Sequence, residues 1–175
     1  MDDPDELLLM HPALYRRCKI AKLNEEFIAG YRFPFDRRLW QIQLELYLSY
    51  EPDDRKVIWV FSSEGGGGKT EYAKKLVAEG WFYTNGGSVA NIMYQYVSVL
   101  ENNVVFDIPR DKQEYLQYSV IEKMKDRIVQ SDNEPVTGFA MNKIHVVVTS
   151  NFLPDYAKIS HHHSIVLNCI ETAIG

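Results

Sequence analysis

From residue 56 onward, the chain alternates short, continuous apolar runs with longer stretches in which apolar residues recur every three or four positions. The continuous runs predict strands buried on both faces, at residues 56–61, 81–84, 102–108, 144–151 and 164–170. The periodic stretches predict helices, at residues 69–80, 88–100 and 111–130. Strands that alternate with helices in this way predict an α/β fold, in which helices flank a parallel sheet.

Two stretches near the start of the chain predict further helices, at residues 11–30 and 37–50. Pro12 lies in the first turn of the first of these helices, and Gly30 comes just past its expected end. The apolar stripe of this helix is thin and buries little by itself. We therefore expect it to pack on a neighbouring subunit.

The composition fits one compact domain with a small appendage, since 46% of the 175 residues are hydrophobic. The polar segment EPDDRK predicts a boundary between a helical oligomerisation segment at 1–52 and an α/β domain at 53–175. The net charge of −5 argues against a broadly basic surface, so nucleic-acid binding would need a local basic site. The two cysteines lack metal-ligand spacing, and no apolar run approaches the roughly 18 residues of a membrane span.

Four consecutive glycines, Gly65, Gly66, Gly67 and Gly68, stand between the strand at 56–61 and a helix that begins at Lys69-Thr70. A linker would not sit between two buried elements, whereas a phosphate-binding loop needs this strand–loop–helix context. We therefore expect these residues to bind ATP, with Lys69 reaching the β- and γ-phosphates and Thr70 ligating Mg²⁺. The start of the loop is unusual, because Ser63 stands where the common pattern has glycine.

Two further polar residues follow predicted strands. Asp107 ends the strand at 102–108 and is a candidate Mg²⁺ ligand, although a second acid is missing beside it. Asn151 ends the strand at 144–151 and is a candidate for orienting the γ-phosphate and the attacking water. The alternative for Asn151 is a turn-forming residue before Pro154. The predicted catalytic set is Lys69, Asp107 and Asn151.

These stretches, in this order, resemble the superfamily 3 helicases. More narrowly, the chain is similar to the helicase domain of the replication initiator (Rep) of nanoviruses and their alphasatellites, through the motifs GGGGKTEYAKKL, VVFDIPR and VTSNFLPD. The Reps tend to have GGEGK in the loop, so Gly67 replaces an acid, and Ser62-Ser63 replace Gly-Pro. A single acid at Asp107 is normal for this group.

The resemblance implies an AAA+-like P-loop NTPase fold and an ATP-driven ring, a hexamer, that translocates on single-stranded DNA with 3′-5′ polarity in the host nucleus. It also implies a DNA-binding hairpin at residues 131–143. There Lys143 would contact phosphate, and Phe139 or Met141 would touch bases. The alternative for Lys143 is a solvated loop lysine.

Two departures from the family pattern stand out. The His-hydrophobic-His metal motif and the catalytic tyrosine of the Rep nuclease are not found, so we do not expect this chain to nick DNA. His161, His162 and His163 stand where related Reps have an acidic pair and an arginine that could serve as the trans-acting finger. The sequence does not choose between Arg110 and Arg127 as a substitute. A metal site at the histidines is the less favoured alternative, because neighbouring residues on a strand point to opposite faces.

Two other function classes compete with a helicase. A nucleotide-dependent assembly module would close the oligomer with little turnover, and the unusual loop start and the missing finger favour it. A small-molecule P-loop kinase is the third class, but no arginine-rich lid segment is found.

Overall fold

The structure, a computed structural model, describes residues 4–65, 67–131 and 135–169. It divides into two compact units at the Phe33–Pro34 peptide bond. The first unit contains helices α1 (Pro4–Met10) and α2 (Pro12–Gly30), which pack on each other. Neither helix buries a side chain within the unit. Asp5 and Glu6 lie in the first turn of α1, where acidic side chains favour a helix.

The second unit begins with helix α3 (Leu39–Ser49), ahead of the boundary expected at 52/53. This helix belongs to the second unit because Trp40 and Leu44 are buried and because α3 contacts the last strand of the sheet. The polar segment at 51–56 is a linker between packed elements rather than a division between units. The role of segment 1–52 in oligomerisation stays a prediction.

A five-stranded, all-parallel sheet forms the centre of the second unit. Its strands are β1 (Val57–Phe61), β2 (Phe82–Thr84), β3 (Val104–Asp107), β6 (Val146–Ser150) and β7 (Ser164–Asn168). Across the sheet they lie in the order β2-β3-β6-β1-β7. The helices of this unit that follow α3 are α4 (Lys69–Ala78), α5 (Val89–Tyr96) and α6 (Tyr118–Asp126). The predicted fold class, a parallel sheet flanked by helices, is confirmed.

The core lies between the sheet and helices α5 and α6. Trp59 and Phe106 from the strands meet Ile121 and Met124 from α6, and all four are almost fully buried. Strand β6 is buried along its whole length, as its continuous apolar run predicts. None of the helices within the described ranges is long and apolar enough to span a membrane.

The single helix predicted at 111–130 is wrong. A 3₁₀ helix (Arg110–Tyr115), α6 and a strand β4 (Ile128–Ser131) occupy this stretch, and β4 pairs antiparallel with β5 (Val136–Phe139). Arg127 ends α6 in the left-handed region, at φ 65°. In β4 burial alternates with a period of two, which four residues cannot distinguish from a helical period.

Candidate nucleotide-binding site

The carboxyl ends of β1, β3 and β6 surround an open cleft of about 450 Å³. The strands are parallel and adjacent, so the residues that follow them meet at the same edge of the sheet. The residues lining the cleft include nearly all of the predicted nucleotide site: Gly65, Gly67, Gly68, Lys69, Thr70, Asp107 and Asn151. Gly66 lies outside the described residues. The structure thus brings together candidates that are up to 86 positions apart in the sequence, from Gly65 to Asn151.

Gly68 is the residue that ends the loop and begins α4. Its φ of +79° lies in the left-handed region, which glycine adopts without strain. A Cβ atom at Gly68 would also lie 3.3 Å from Gln41 Nε2, and one at Gly67 would lie 3.2 Å from Cys169 Cβ. Backbone conformation therefore favours glycine at Gly68, and a Cβ atom at either position would force a neighbouring side chain to shift by a few tenths of an ångström.

Asp107 is the centre of the hydrogen bonds in the cleft. Its Oδ2 accepts from the Thr70 hydroxyl at 3.3 Å and from the Tyr83 hydroxyl at 3.1 Å, and its Oδ1 accepts from Thr149 Oγ1 at 2.7 Å. A hydroxyl and a carboxylate so close together form an oxygen donor set that suits Mg²⁺. Burial, with the neighbouring Asp107 carboxylate, raises the pKa of Tyr83 to about 12, so its phenol remains a proton donor at neutral pH.

Tyr83 was missed as a site residue because it lies in the middle of the short strand β2 with no motif around it. Its position beside β3 comes from the parallel pairing of Tyr83 with Val105. Thr149 lies in β6, two residues before the predicted Asn151, and the register places it opposite Asp107. Strand order, which the sequence does not state, would have been needed to find both.

The end of β6 is held by a buried tryptophan. Trp59 Nε1 donates to Ser150 Oγ and to the Phe152 carbonyl, both at 2.9 Å, and Ser150 Oγ donates to the same carbonyl at 2.6 Å. These bonds fix the chain on both sides of Asn151, which lies at the cleft.

The two arginines that the sequence left open as finger substitutes lie in different places. Arg110 lines the cleft, and its Nη2 donates to the Ser63 carbonyl at the start of the glycine loop, at 2.9 Å. Arg127 Nη1 instead donates to the Met141 carbonyl at 2.8 Å, beside the β4–β5 hairpin. Arg110 is therefore the arginine of the pair that faces the phosphate site of its own chain.

The predicted DNA-binding residues lie on or just after the β4–β5 hairpin, of which residues 132–134 are outside the described ranges. Phe139 and Met141 are 72% and 85% exposed. The chain after the hairpin is held by Glu101, whose carboxylate accepts from the Met141 N–H at 2.9 Å and from Asn142 Nδ2 at 3.0 Å. Lys143 lies beyond the hairpin in an exposed ion pair with Asp54 at 3.5 Å.

The three histidines form a 3₁₀ helix (His161–His163) just before β7, rather than lying on a strand as expected. The ring of His161 stacks on Tyr156, with the ring centroids 3.5 Å apart. Within the described ranges, no group of three or more His, Cys, Asp or Glu side chains is placed to hold a metal ion.

A glycine loop that joins a buried parallel strand to a helix, with a carboxylate at the end of a nearby strand, defines the chain as a P-loop NTPase. The family model described as "RNA helicase" matches residues 58–153, and the chain therefore belongs to the RNA helicase family.

The chain is similar to curated proteins of plant alphasatellites. It is 43% identical over 169 residues to "Para-Rep C1" of Milk vetch dwarf C1 alphasatellite and 41% identical over 169 residues to "Para-Rep C2" of Subterranean clover stunt C2 alphasatellite. Each match covers 96% of this chain but 60% of the relative. The resemblance inferred from the motifs is thus confirmed, over a chain that spans about 60% of the length of these relatives.

Among solved structures, NtrX from Brucella abortus in complex with ADP matches 95% of this chain and 45% of its own, at 12% identity. The TM-score of this match is 0.37.

Proposed function

We propose that this chain is the motor of a viral replication initiator, which uses ATP to translocate on single-stranded DNA and to unwind duplex DNA. The observation that carries the proposal is the cleft at the sheet edge. There the Thr70 hydroxyl lies 3.3 Å from Asp107 Oδ2, beside Lys69 and the glycine loop. Membership of the RNA helicase family supports the class of activity.

Each residue in the cleft has a distinct part in this proposal. The N–H groups at the start of α4 and the Lys69 ammonium hold the phosphates, because both present positive charge to an anion. Thr70 and Asp107 would hold Mg²⁺, which neutralises charge that develops on the β- and γ-phosphate oxygens. Tyr83 and Thr149 keep the Asp107 carboxylate in one orientation through their hydrogen bonds. Asn151 positions the water that attacks the γ-phosphate.

The proposed partners are single-stranded DNA and further copies of this chain in a hexameric ring. Two exposed surfaces support them. Helices α1 and α2 bury no side chain in their own unit, and apolar side chains on α2 such as Leu14 and Phe27 are exposed. Phe139 and Met141 stand exposed at the hairpin, where Phe139 would stack on a base and Met141 would make apolar contact with one. The 3′-5′ polarity and action in the host nucleus rest on the resemblance alone.

The test of this function is ATP hydrolysis with and without single-stranded DNA, together with the particle mass from light scattering. DNA-stimulated turnover by a hexamer is the expected result. Hexamers that form with ATP but do not turn it over would instead support the assembly module, which the Ser62-Ser63 loop start favours. A monomer whose turnover ignores DNA would contradict the helicase proposal.

The proposed DNA contact is tested separately by Phe139→Ala and Met141→Ala. Phe139→Ala is expected to weaken binding of a labelled single-stranded oligonucleotide by roughly tenfold, since one stacking partner is lost, and Met141→Ala is expected to weaken it less, since only apolar contact is lost. Nucleotide affinity and thermal stability should stay unchanged because both side chains are exposed. Tyr115→Ala is the matched control, because Tyr115 is 71% exposed on the 3₁₀ helix before α6. Equal effects of Phe139→Ala and Tyr115→Ala would contradict the hairpin assignment.

A further inference from the structure

A side chain from outside the strand–loop–helix unit holds the glycine loop. Trp40 lies on α3 and is only 1% exposed. Its Nε1 donates a buried hydrogen bond to the Gly67 carbonyl oxygen, at 3.0 Å. Trp40 therefore bonds to the backbone of the loop that we assign to phosphate binding.

This hydrogen bond determines which way one peptide group of the loop points. In a trans peptide, the carbonyl oxygen of Gly67 and the N–H of Gly68 point in opposite directions. No cis peptide bond is present in the part of the chain that the structure describes. When the oxygen is held toward Trp40, the N–H of Gly68 points away from the Trp40 indole, and Gly67 and Gly68 both line the cleft.

The loop needs such a restraint because its own residues impose little. Glycine populates positive and negative φ with similar ease, so a peptide between two glycines can rotate at low cost. A rotated Gly67–Gly68 peptide would present its oxygen, rather than its N–H, to the anion. The indole N–H stabilises one of the two orientations.

Trp40 is itself held firmly in place. Its ring meets the Tyr72 ring edge-on, with the centroids 5.4 Å apart, and the Tyr72 hydroxyl donates to Glu45 of the same helix α3 at 3.3 Å. Gln41, also 1% exposed, accepts from the Arg38 N–H at 2.8 Å and lies against Gly68. The outer face of the loop is thus covered by packed side chains of α3, so the indole cannot follow the loop if the peptide rotates.

We propose that Trp40 is a positioning residue for nucleotide binding, whose indole N–H orients the Gly67–Gly68 peptide so that the Gly68 N–H faces the phosphates. The proposal rests on the proposed function only in taking a nucleotide as the ligand of the cleft. It gives α3 a part in the ATP site, although the sequence assigned this helix to the oligomerisation segment.

The test compares two variants that each remove a buried donor to a backbone carbonyl. Trp40→Phe keeps an aromatic ring but loses the bond to Gly67. Tyr96 lies on α5 with its side chain in the core, and Tyr96→Phe loses the hydrogen bond from its hydroxyl to the Asn102 carbonyl, at 2.7 Å. Affinity for a fluorescent ADP analogue with Mg²⁺, competition by inorganic pyrophosphate and the melting temperature of the nucleotide-free protein are measured for both.

Both variants are expected to melt somewhat earlier than the wild type, but only Trp40→Phe should weaken ADP and pyrophosphate, by roughly tenfold. Unchanged affinity in Trp40→Phe, or equal losses in both variants, would overturn the inference while leaving the proposed function intact. If the wild-type protein bound neither ligand, the proposed function would fail first. If Trp40→Phe does not fold, 3-benzothienylalanine at position 40 keeps the shape of tryptophan and replaces its N–H by sulfur, and the same affinities decide.

Discussion

The carboxyl edge of the parallel sheet, where its strands end, and the amino edge, where they begin, use polar side chains in opposite ways. At the carboxyl edge, Thr70, Tyr83 and Thr149 all bond to the Asp107 carboxylate in an open cleft. At the amino edge, Lys125 is buried, and its ammonium donates to the carbonyls of Asp53 (2.6 Å) and Ile144 (2.7 Å).

The difference lies in the partners of these polar groups. Side chains that bond to other side chains beside a cleft can exchange those bonds for a ligand. The buried Lys125 ammonium instead bonds to backbone carbonyls, and so ties the chain before β1 to the chain before β6. These hydrogen bonds hold the fold together and are not positioned to be replaced by bonds to a ligand in the cleft. We therefore expect changes at the carboxyl edge to alter nucleotide binding and changes at the amino edge to alter stability.

The largest expected effect is at the carboxyl edge. Lys69→Ala should lower ATP turnover by at least about 10²-fold, because the charge that holds the β- and γ-phosphates is removed. Melting of the nucleotide-free protein should hardly change. Lys74→Ala on the same helix is the control, since the Lys74 side chain is 53% exposed, forms an ion pair with Glu71 at 3.7 Å and is not among the residues that line the cleft. Normal turnover in Lys69→Ala would refute the phosphate-loop assignment.

At the amino edge, the stability contributed by Lys125 should depend on pH. Burial lowers the pKa of Lys125 from 10.5 to about 8, so between these values the unfolded chain binds more protons than the folded one. Stability from this group therefore rises with pH over that interval.

The measurement is the unfolding free energy of the wild type minus that of Lys125→Met, from urea titrations at pH 7.5, 8.5 and 9.5. We expect the difference to grow by about 2 kcal/mol across the series. The lysines and tyrosines elsewhere cancel in the comparison of the two proteins. A difference that is independent of pH would show that the ammonium is not held in a low-dielectric site.

A smaller effect is expected from Tyr83→Phe, which removes one of the donors to Asp107 Oδ2. Loss of a hydrogen-bond partner of a metal ligand commonly weakens metal affinity by about 10- to 100-fold. Because Tyr83 is partly exposed, we expect the low end, a rise of about tenfold in the Mg²⁺ concentration needed for half-maximal ADP binding. Thr149→Val, which removes the donor to Oδ1, should act in the same direction. If neither variant changes the Mg²⁺ dependence, Asp107 does not need these partners to hold the metal.

Much of the fold and of the site could be predicted from local pattern. The continuous apolar runs identify all five parallel strands, and Lys69, Thr70, Asp107 and Asn151 each stand next to one of those runs or on the helix after it. Parallel strands place their carboxyl ends at the same edge of the sheet, so the convergence of these residues followed from the alternation of strands and helices along the chain.

The errors occur where local pattern has two interpretations. The stretch 111–130 has helical spacing in Tyr118, Ile121 and Met124, but Ile128 and Val129 continue as a strand because β5 offers a partner 11 residues along, from Ile128 to Phe139. The polar segment at 51–56 resembles a domain boundary, whereas α3 before it is packed into the second unit.

The sequence by itself determined the phosphate loop, the parallel sheet and the family, because these depend on apolar runs and on short motifs whose chemistry is local. Only the tertiary structure decided that Tyr83 reaches Asp107, that Arg110 rather than Arg127 faces the cleft, and that Trp40 holds the Gly67 carbonyl. These contacts join residues that are far apart in the sequence. The separation is 24 positions for Tyr83 and Asp107, 27 for Trp40 and Gly67, and 47 for Arg110 and Ser63. They depend on which elements are neighbours in space, and that follows from packing of the whole core.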